Sequence, residues 1–159
     1  MNSQIQPGRV ASINLSNGGA PKAAVAEALI TATGVRGDRQ QDLRYHGGPD
    51  RAVLIYSVEL IHALQREGHP IRSGSTGENL TVSGLEWDSI VPGVELWAGG
   101  VRLQVTKYAT PCYKISGSFL GGELSRISQK LRPGWSRVCA RVLTPGTVRV
   151  GDPVEVIER

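Results

Sequence analysis

Length and composition bound what this chain can be. Its 159 residues are 40% hydrophobic and 20% charged, which suits one domain with a buried core and leaves no room for a fused electron-transfer module. We expect a single domain over residues 1–159, with its core at about residues 8–158. The net charge is +4, and the basic residues are not gathered in one run. Nucleic acid, phosphorylated cofactors and nucleotide-like molecules therefore all stay open as partners.

The first half of the chain predicts one helix and leaves one segment open. Residues 22–33 are ambiguous, because their alanines suit a helix while the apolar and threonine residues at the end suit a strand. Residues 34–38, Gly-Val-Arg-Gly-Asp, are predicted to form a loop. Ser57 is predicted to cap a helix from Val58 to Glu67, which ends at Gly68.

The second half predicts short strands at the spacing of a sandwich or barrel. Val94–Trp97 and Val101–Tyr108 flank a glycine turn, and the second run alternates apolar with polar residues, as in a hairpin with one buried face. Apolar residues spaced by four, three and four predict a second helix over Leu120–Leu131. Further strands are predicted at Leu80–Val82, Val138–Leu143, Val148–Val150 and Val154–Ile157. The fold class is therefore mainly β with a few helices (α+β).

Two cysteines, Cys112 and Cys139, cannot build a disulfide framework, which indicates a reducing compartment. No signal segment opens the chain and no apolar run reaches membrane length, so we expect a cytoplasmic protein. Cys139 falls inside a predicted strand and is expected in the core. Cys112 follows a strand and a proline near Lys107 and Lys114, whose charges favour a reactive thiolate; an ordinary packed cysteine is the alternative.

The three histidines differ in their surroundings. His62 lies on the polar side of the first predicted helix and His69 in a turn before a proline, so both are expected at the surface. His46 lies inside a glycine-rich loop, and a Cys112–His46 nucleophilic dyad is conceivable on spacing alone. A zinc site built from Cys112, Cys139 and His46 is disfavoured, because the strand directs Cys139 into packing.

Polar and glycine-rich residues cluster in three loops, at residues 37–51, 75–79 and 110–114. Glycines let the backbone approach a ligand closely and expose its N–H groups, which favours anions such as phosphate. The chain contains neither a P-loop nor a Rossmann fingerprint. Glu78 and Asn79 in the second loop either close a turn or contact a ligand, and the local sequence leaves both roles open.

Several motifs occur in a fixed order along the chain: Gly34–Asp38, His46–Ala52, Gly77–Thr81, Pro111–Lys114, Gly134–Trp135 and Gly151–Asp152. Together they resemble the MOSC domain, named after the C-terminal part of molybdenum cofactor sulfurases, from about residue 8 onward. The small bacterial members that reduce N-hydroxylated bases are the most similar type. The sequence departs from the family pattern at Tyr45, where relatives often carry a second histidine, and at Pro92–Val94, where Gly-Asp is usual.

The resemblance implies a β-barrel-like fold that binds molybdenum cofactor, a pterin dithiolene with a phosphate group. The family's cysteine ligand to molybdenum corresponds to Cys112, and a thiolate is a suitable soft donor to this metal. The residues expected to contact the cofactor, some by motif and some by charge, are Gly47, Gly48, Arg51, Gly77, Glu78, Asn79, Lys107, Tyr113 and Lys114. The positive charge of the chain then needs no nucleic acid as a partner.

The resemblance also implies an activity, the reduction of hydroxylamines, amidoximes and N-hydroxylated bases. His46 or Glu78 is expected to supply a proton to the departing group, beside Cys112 as the metal ligand. No flavin, haem or iron–sulfur motif is present, so electrons must come from separate donor proteins. Two alternatives stay open: a persulfide carrier that uses Cys112 without molybdenum, and a non-catalytic cofactor-binding module. We expect a monomer or a weak homodimer.

Overall fold

The computed structural model describes residues 7–16, 20–38 and 48–157, and in them strands predominate. The strands are β1 Gly8–Leu15, β2 Ala23–Val25, β3 Glu27–Thr31, β4 Gly34–Val35, β5 Val53–Ser57, β6 Leu80–Ser83, β7 Glu95–Ala98, β8 Val101–Tyr108, β9 Val138–Thr144, β10 Gly146–Arg149 and β11 Pro153–Ile157. The α-helix of the described residues, α1, is Val58–Arg66. Short 3-10 turns occupy Pro49–Arg51, Trp87–Ser89, Tyr113–Ser118, Leu120–Gly122 and Leu124–Ile127.

Seven of the strands close into a barrel. They hydrogen-bond in the order β11-β7-β8-β9-β5-β6-β1, and β1 pairs again with β11. All neighbours are antiparallel except β5 and β6, which α1 connects by a crossover. β2 extends the sheet beyond β1, and β10, β3 and β4 form a second, smaller sheet. The expected barrel-like, mainly β fold is confirmed, and closure leaves no free edge around the ring.

The predicted hairpin and the predicted first helix are both confirmed. In β8 the apolar residues Val101, Leu103 and Val105 are buried, while the polar residues between them are only half-buried, as the alternation requires. Ser57 caps α1, because its Oγ accepts a hydrogen bond from the backbone N–H of Leu60 at 3.2 Å. The apolar side of α1 then packs against the barrel.

The predicted second helix over Leu120–Leu131 is wrong. The segment forms two separate 3-10 turns, since Gly121 and Gly122 adopt φ angles of 62° and 71°, which an α-helix does not allow. Leu120 and Leu131, expected on a buried helix face, are 52% and 62% exposed. The apolar spacing was therefore a chance match, and the segment lies over the barrel as a series of turns.

The ambiguous residues 22–33 form strands, β2 and β3, rather than a helix. The loop predicted at residues 34–38 is partly wrong, because Gly34–Val35 pairs with β3 before the turn begins. The predicted C-terminal strands correspond to β9, β10 and β11. No helix in the described part of the chain is long and apolar enough to cross a lipid bilayer.

Candidate functional site

Cys112 lies in the segment that leaves the barrel after β8. Its side chain is half-buried, and its carbonyl oxygen accepts a hydrogen bond from the Ile115 backbone N–H at 3.1 Å, which starts the turn Tyr113–Ser118. Both cysteines are free thiols. Cys139 is 7% exposed on β9, opposite Lys107 of β8, so its predicted core position is confirmed.

Arg137 is the residue of this region that the sequence did not reveal. It precedes β9, and its carbonyl oxygen accepts a hydrogen bond from the Ala109 backbone N–H at 2.9 Å, which extends the β8–β9 pairing toward Cys112. The side chain is 5% exposed. Its Nη1 donates to the carbonyl oxygen of Thr76 at 2.7 Å, while its buried Nε has no hydrogen-bond partner among the described residues.

The charged form of Arg137 is energetically unfavourable because its side chain is buried. Burial lowers the pKa of Arg137, and the opposing influences come from Glu78, Tyr56, Cys139 and Cys112 in that order. The guanidinium therefore lies within electrostatic range of both thiols and of a buried carboxylate. A buried cation with a free donor is the kind of group that binds an acceptor atom of a ligand or an ordered water.

Glu78 is fully buried and surrounded by donors. Its Oε2 accepts from the backbone N–H of Gly74 at 2.9 Å and from Thr81 Oγ1 at 3.2 Å, and its Oε1 accepts from Thr76 Oγ1 at 2.8 Å. Both carboxylate oxygens of Glu78 therefore have hydrogen-bond partners although the side chain is buried. Glu78 thus fixes the loop before β6, in which Gly77 is half-buried.

Asn79 connects the same loop to Asp38, at the end of the described range 20–38. Its Oδ1 accepts from the Leu54 backbone N–H at 3.0 Å, and its Nδ2 donates to Asp38 Oδ2 at 2.9 Å. Asp38 also pairs with Lys22 Nζ at 2.5 Å and accepts from the Ser16 backbone N–H at 2.9 Å. This network holds Asp38, the last described residue before residue 48.

The structure brings three cationic side chains near Cys139. Burial raises the pKa of the Cys139 thiol, and Arg137, Arg51 and Lys107 oppose that rise. Arg51 and Lys107, which the sequence predicted as site residues, thus influence the same Cys139 thiol as Arg137, which it did not predict. Gly48 begins the adjoining 3-10 turn, where its carbonyl oxygen accepts from the Arg51 backbone N–H at 3.0 Å.

The remaining predicted site residues are exposed, half-buried or outside the described part of the chain. Tyr113 is 76% exposed and Lys114 is half-buried, both in the turn after Cys112. His46 and Gly47 lie outside the described residues, so the dyad with Cys112 is not tested. Within residues 7–16, 20–38 and 48–157, no three His, Cys, Asp or Glu side chains are grouped as a metal site.

The prediction that His69 lies at the surface is wrong. His69 is buried: its Nδ1 accepts from the Leu120 backbone N–H at 3.0 Å, and its ring meets Phe119 edge to face at 5.6 Å. Its Nε2 lies 3.4 Å from Glu67 Oε1. The turns after Cys112 fold over this part of the chain, which local sequence does not reveal. His62 is exposed, as predicted.

Fold and site together define a closed β-barrel domain in which a half-buried thiol follows β8 and a buried guanidinium precedes β9. The sequence profile of the MOSC domain matches residues 42–155. The chain therefore belongs to the MOSC domain family, as its motifs indicated.

Three relatives show the extent of the similarity. The protein YiiM of Escherichia coli K12 is 30% identical over 138 residues, which are 84% of this chain and 60% of that protein. The uncharacterized protein YflK of Bacillus subtilis 168 is 32% identical over 124 residues, 77% of this chain and 55% of that protein. The chain thus spans less than two thirds of these relatives. The crystal structure of YiiM from Geobacillus stearothermophilus superposes with a TM-score of 0.71 at 26% identity, covering 96% of this chain and 76% of that one.

Proposed function

We propose that this chain binds molybdenum cofactor through Cys112 and reduces N-hydroxylated compounds: hydroxylamines, amidoximes and N-hydroxylated bases. The observation that carries the proposal is that a MOSC fold places the half-buried Cys112 just after β8, whose pairing with β9 continues through the hydrogen bond from Ala109 to Arg137. The buried Nε of Arg137 has no hydrogen-bond partner among the described residues. The sulfur of a half-buried cysteine is a suitable soft donor to molybdenum.

The residues present fit such a cofactor. Arg51, Lys107 and Arg137 supply positive charge for its anionic groups, and the Nε of Arg137 is a donor that still lacks an acceptor. When bound, the cofactor supplies two-electron redox chemistry at molybdenum through the Cys112 ligand. We assign Gly47, Gly48, Gly77, Asn79, Tyr113 and Lys114 to the same site, as the family motifs and charges predict.

The protein must also deliver protons, because reduction of an N–OH group to an N–H group consumes two electrons and two protons and releases water. His46 and Glu78 are the predicted donors. Glu78 is fully buried, and its carboxylate accepts three hydrogen bonds from Gly74, Thr76 and Thr81, so its first task is to position the loop of residues 74–79. We therefore favour His46 as the group that moves the proton.

Partners follow from the same chemistry. The chain carries no redox motif besides the proposed site, so a separate donor protein must deliver the electrons. The substrate is a small molecule, and nucleic acid is not part of the proposal. We place the protein in the cytoplasm, on the ground that its two cysteines are free thiols, and expect a monomer or a weak homodimer.

The test is molybdenum and released pterin per chain, after expression in a host that makes the cofactor. Wild type should contain both molybdenum and pterin. The content of Cys112→Ala should be lower by a factor of roughly ten or more, whereas Cys139→Ala, the matched thiol control, should have a content near that of wild type. Loaded wild type should then reduce 6-hydroxylaminopurine with a chemical electron donor. Equal cofactor content in wild type and Cys112→Ala would contradict the proposal.

Sulfur carriage is the second candidate, because the half-buried Cys112 lies next to the 76% exposed Tyr113 and is therefore within reach of another enzyme. It predicts no molybdenum in wild type. It also predicts one added sulfur atom on the Cys112 peptide after incubation with a cysteine desulfurase, detected by mass spectrometry. Retained cofactor without turnover of any N-hydroxylated compound would instead indicate a non-catalytic binding module.

A further inference from the structure

A pocket that the proposed reaction does not use lies between a 3-10 turn, the end of β8 and the segment before β9. It encloses about 240 Å³, slightly less than the roughly 300 to 1,000 Å³ of drug-sized sites, so it has room for one substituted ring. Its lining includes the aromatic residues Trp87 and Tyr108 and the polar residues Asp88, Gln129 and Ser136.

The aromatic wall is held in place without a ligand. Trp87 is only 9% exposed, its Nε1 donates to the carbonyl oxygen of Ser136 at 2.9 Å, and its ring meets Tyr56 edge to face at 6.0 Å. Tyr108 ends β8 and pairs with Val138 of β9. Because the Trp87 ring is already held in place, it can bind a flat group with little loss of side-chain entropy.

The polar groups of the pocket keep hydrogen-bonding capacity to spare. Within the described ranges, no hydrogen bond or ion pair engages the carboxylate of Asp88. The Oε1 of Gln129 accepts from the Gly134 backbone N–H at 3.1 Å, which leaves its amide N–H groups for another partner. No lysine or arginine lines the pocket, so its single formal charge is the negative one of Asp88.

We propose that this pocket binds a planar organic cation of the guanidinium type. The cation pairs with the carboxylate of Asp88 through charge-assisted hydrogen bonds, and its ring lies against Trp87 and Tyr108, where a cation and a flat face are both favoured. The pocket carries a negative formal charge although the chain as a whole has a net charge of +4. The inference does not depend on molybdenum or on Cys112.

The test compares phenylguanidine, a planar cation, with phenylurea, its neutral analogue of similar shape. Each is titrated into the full chain while the indole N–H signals of the tryptophans are followed by NMR, with the Trp87 signal assigned from Trp87→Phe. Phenylguanidine should shift the Trp87 signal to saturation and bind at least about tenfold more tightly than phenylurea. Asp88→Asn should remove that preference, whereas Glu86→Gln, an exposed carboxylate outside the pocket, should keep it.

Three outcomes would overturn the proposal. They are equal affinity for the two compounds, an unchanged preference in Asp88→Asn, and the absence of saturable shifts at Trp87. Unchanged signals from Trp97 and Trp135 in the variants show that the fold is intact, so loss of binding cannot be attributed to unfolding. None of these results bears on cofactor content, so the pocket and the proposed activity can fail separately.

Discussion

Arg137 donates from Nη1 to the carbonyl oxygen of Thr76 at 2.7 Å, so the segment that enters β9 is tied to the loop that precedes β6. The hydroxyl of the same threonine donates to Glu78 Oε1 at 2.8 Å. One residue thus connects a buried cation with a buried carboxylate. Because an isolated charge is costly inside a protein, each of the two charged groups makes the burial of the other tolerable.

Removing the cation should therefore destabilise the fold. Arg137→Met removes the cation that acts electrostatically on Glu78 and leaves the carbonyl oxygen of Thr76 without its donor, and we expect a loss of about 1 to 3 kcal/mol in the free energy of unfolding. The change in the free energy of unfolding is measured by urea unfolding of wild type and variant. Arg141→Met is the matched control, since Arg141 pairs at the surface with the exposed Asp50 and should cost less than about 1 kcal/mol.

The coupling of the two charges is tested by a double variant. Glu78→Gln alone should also destabilise, but Glu78→Gln combined with Arg137→Met should cost less than the sum of the two by about 1 kcal/mol or more, because neither charge is then left alone. Strict additivity would show that Arg137 and Glu78 are energetically independent.

The two thiols should differ in reactivity. Cys112 is half-buried, whereas Cys139 is 7% exposed and burial raises the pKa of its thiol. In protein expressed without cofactor, iodoacetamide at about pH 8 should modify Cys112 at least about tenfold faster than Cys139, as measured by peptide mass spectrometry. In urea the two rates should converge. Equal rates in the native protein would mean that the β9 strand opens readily.

Much of the fold could be predicted because its signals are local. The alternation along Val101–Tyr108 predicts a strand with one buried face, and Ser57 with its following apolar residues predicts α1; both are present. The helix expected over Leu120–Leu131 failed because spacing alone ignored Gly121 and Gly122, whose backbone angles end any helix there.

The candidate site could be predicted only in part. The loop containing Glu78 and Asn79 is recognisable from its motif, but the hydrogen bonds of the Asn79 side chain join it to Leu54 and Asp38, which are far away in the chain. Arg137 gives one weak local signal, since it lies two residues before Cys139 and so shares its face of the extended chain. An arginine next to a strand is normally exposed, so only the tertiary structure shows that this one is buried.

Close packing around the Glu78 loop can be tested at a glycine. Gly74 has φ of 84°, donates to Glu78 Oε2, and a Cβ there would lie 2.5 Å from the Lys22 carbonyl oxygen. Gly48 has φ of 83°, and no atom of the described residues lies within 4 Å of such a Cβ. Both alanine variants carry the backbone cost of a positive φ, on the order of 1 to 3 kcal/mol, but Gly74→Ala should cost about 1 to 3 kcal/mol more because of its close contact. Equal losses by urea unfolding would contradict this packing.

An ion pair near the turns that follow Cys112 should make the folded state less stable at acidic pH. Arg126 donates to both carboxylate oxygens of Glu67, at 2.8 and 2.7 Å, and its guanidinium lies 3.8 Å from the centre of the Trp135 ring. These hydrogen bonds from Arg126 lower the pKa of Glu67 from 4.5 to about 2. Its carboxylate therefore stabilises the folded state fully above about pH 4.5, and this contribution disappears as the pH falls toward 2.

Glu67→Gln should abolish that part of the pH dependence. Unfolding free energies in urea at about pH 6 and about pH 3 should differ less for Glu67→Gln than for wild type, since the amide does not titrate over this interval. The effect should be modest, because the Glu67 side chain is 43% exposed and water screens the pair. Glu86→Gln, which removes an exposed carboxylate that contacts no cation in the described part of the chain, should keep the wild-type difference. If Glu67→Gln kept it as well, the Arg126–Glu67 pair would not be a source of acid sensitivity.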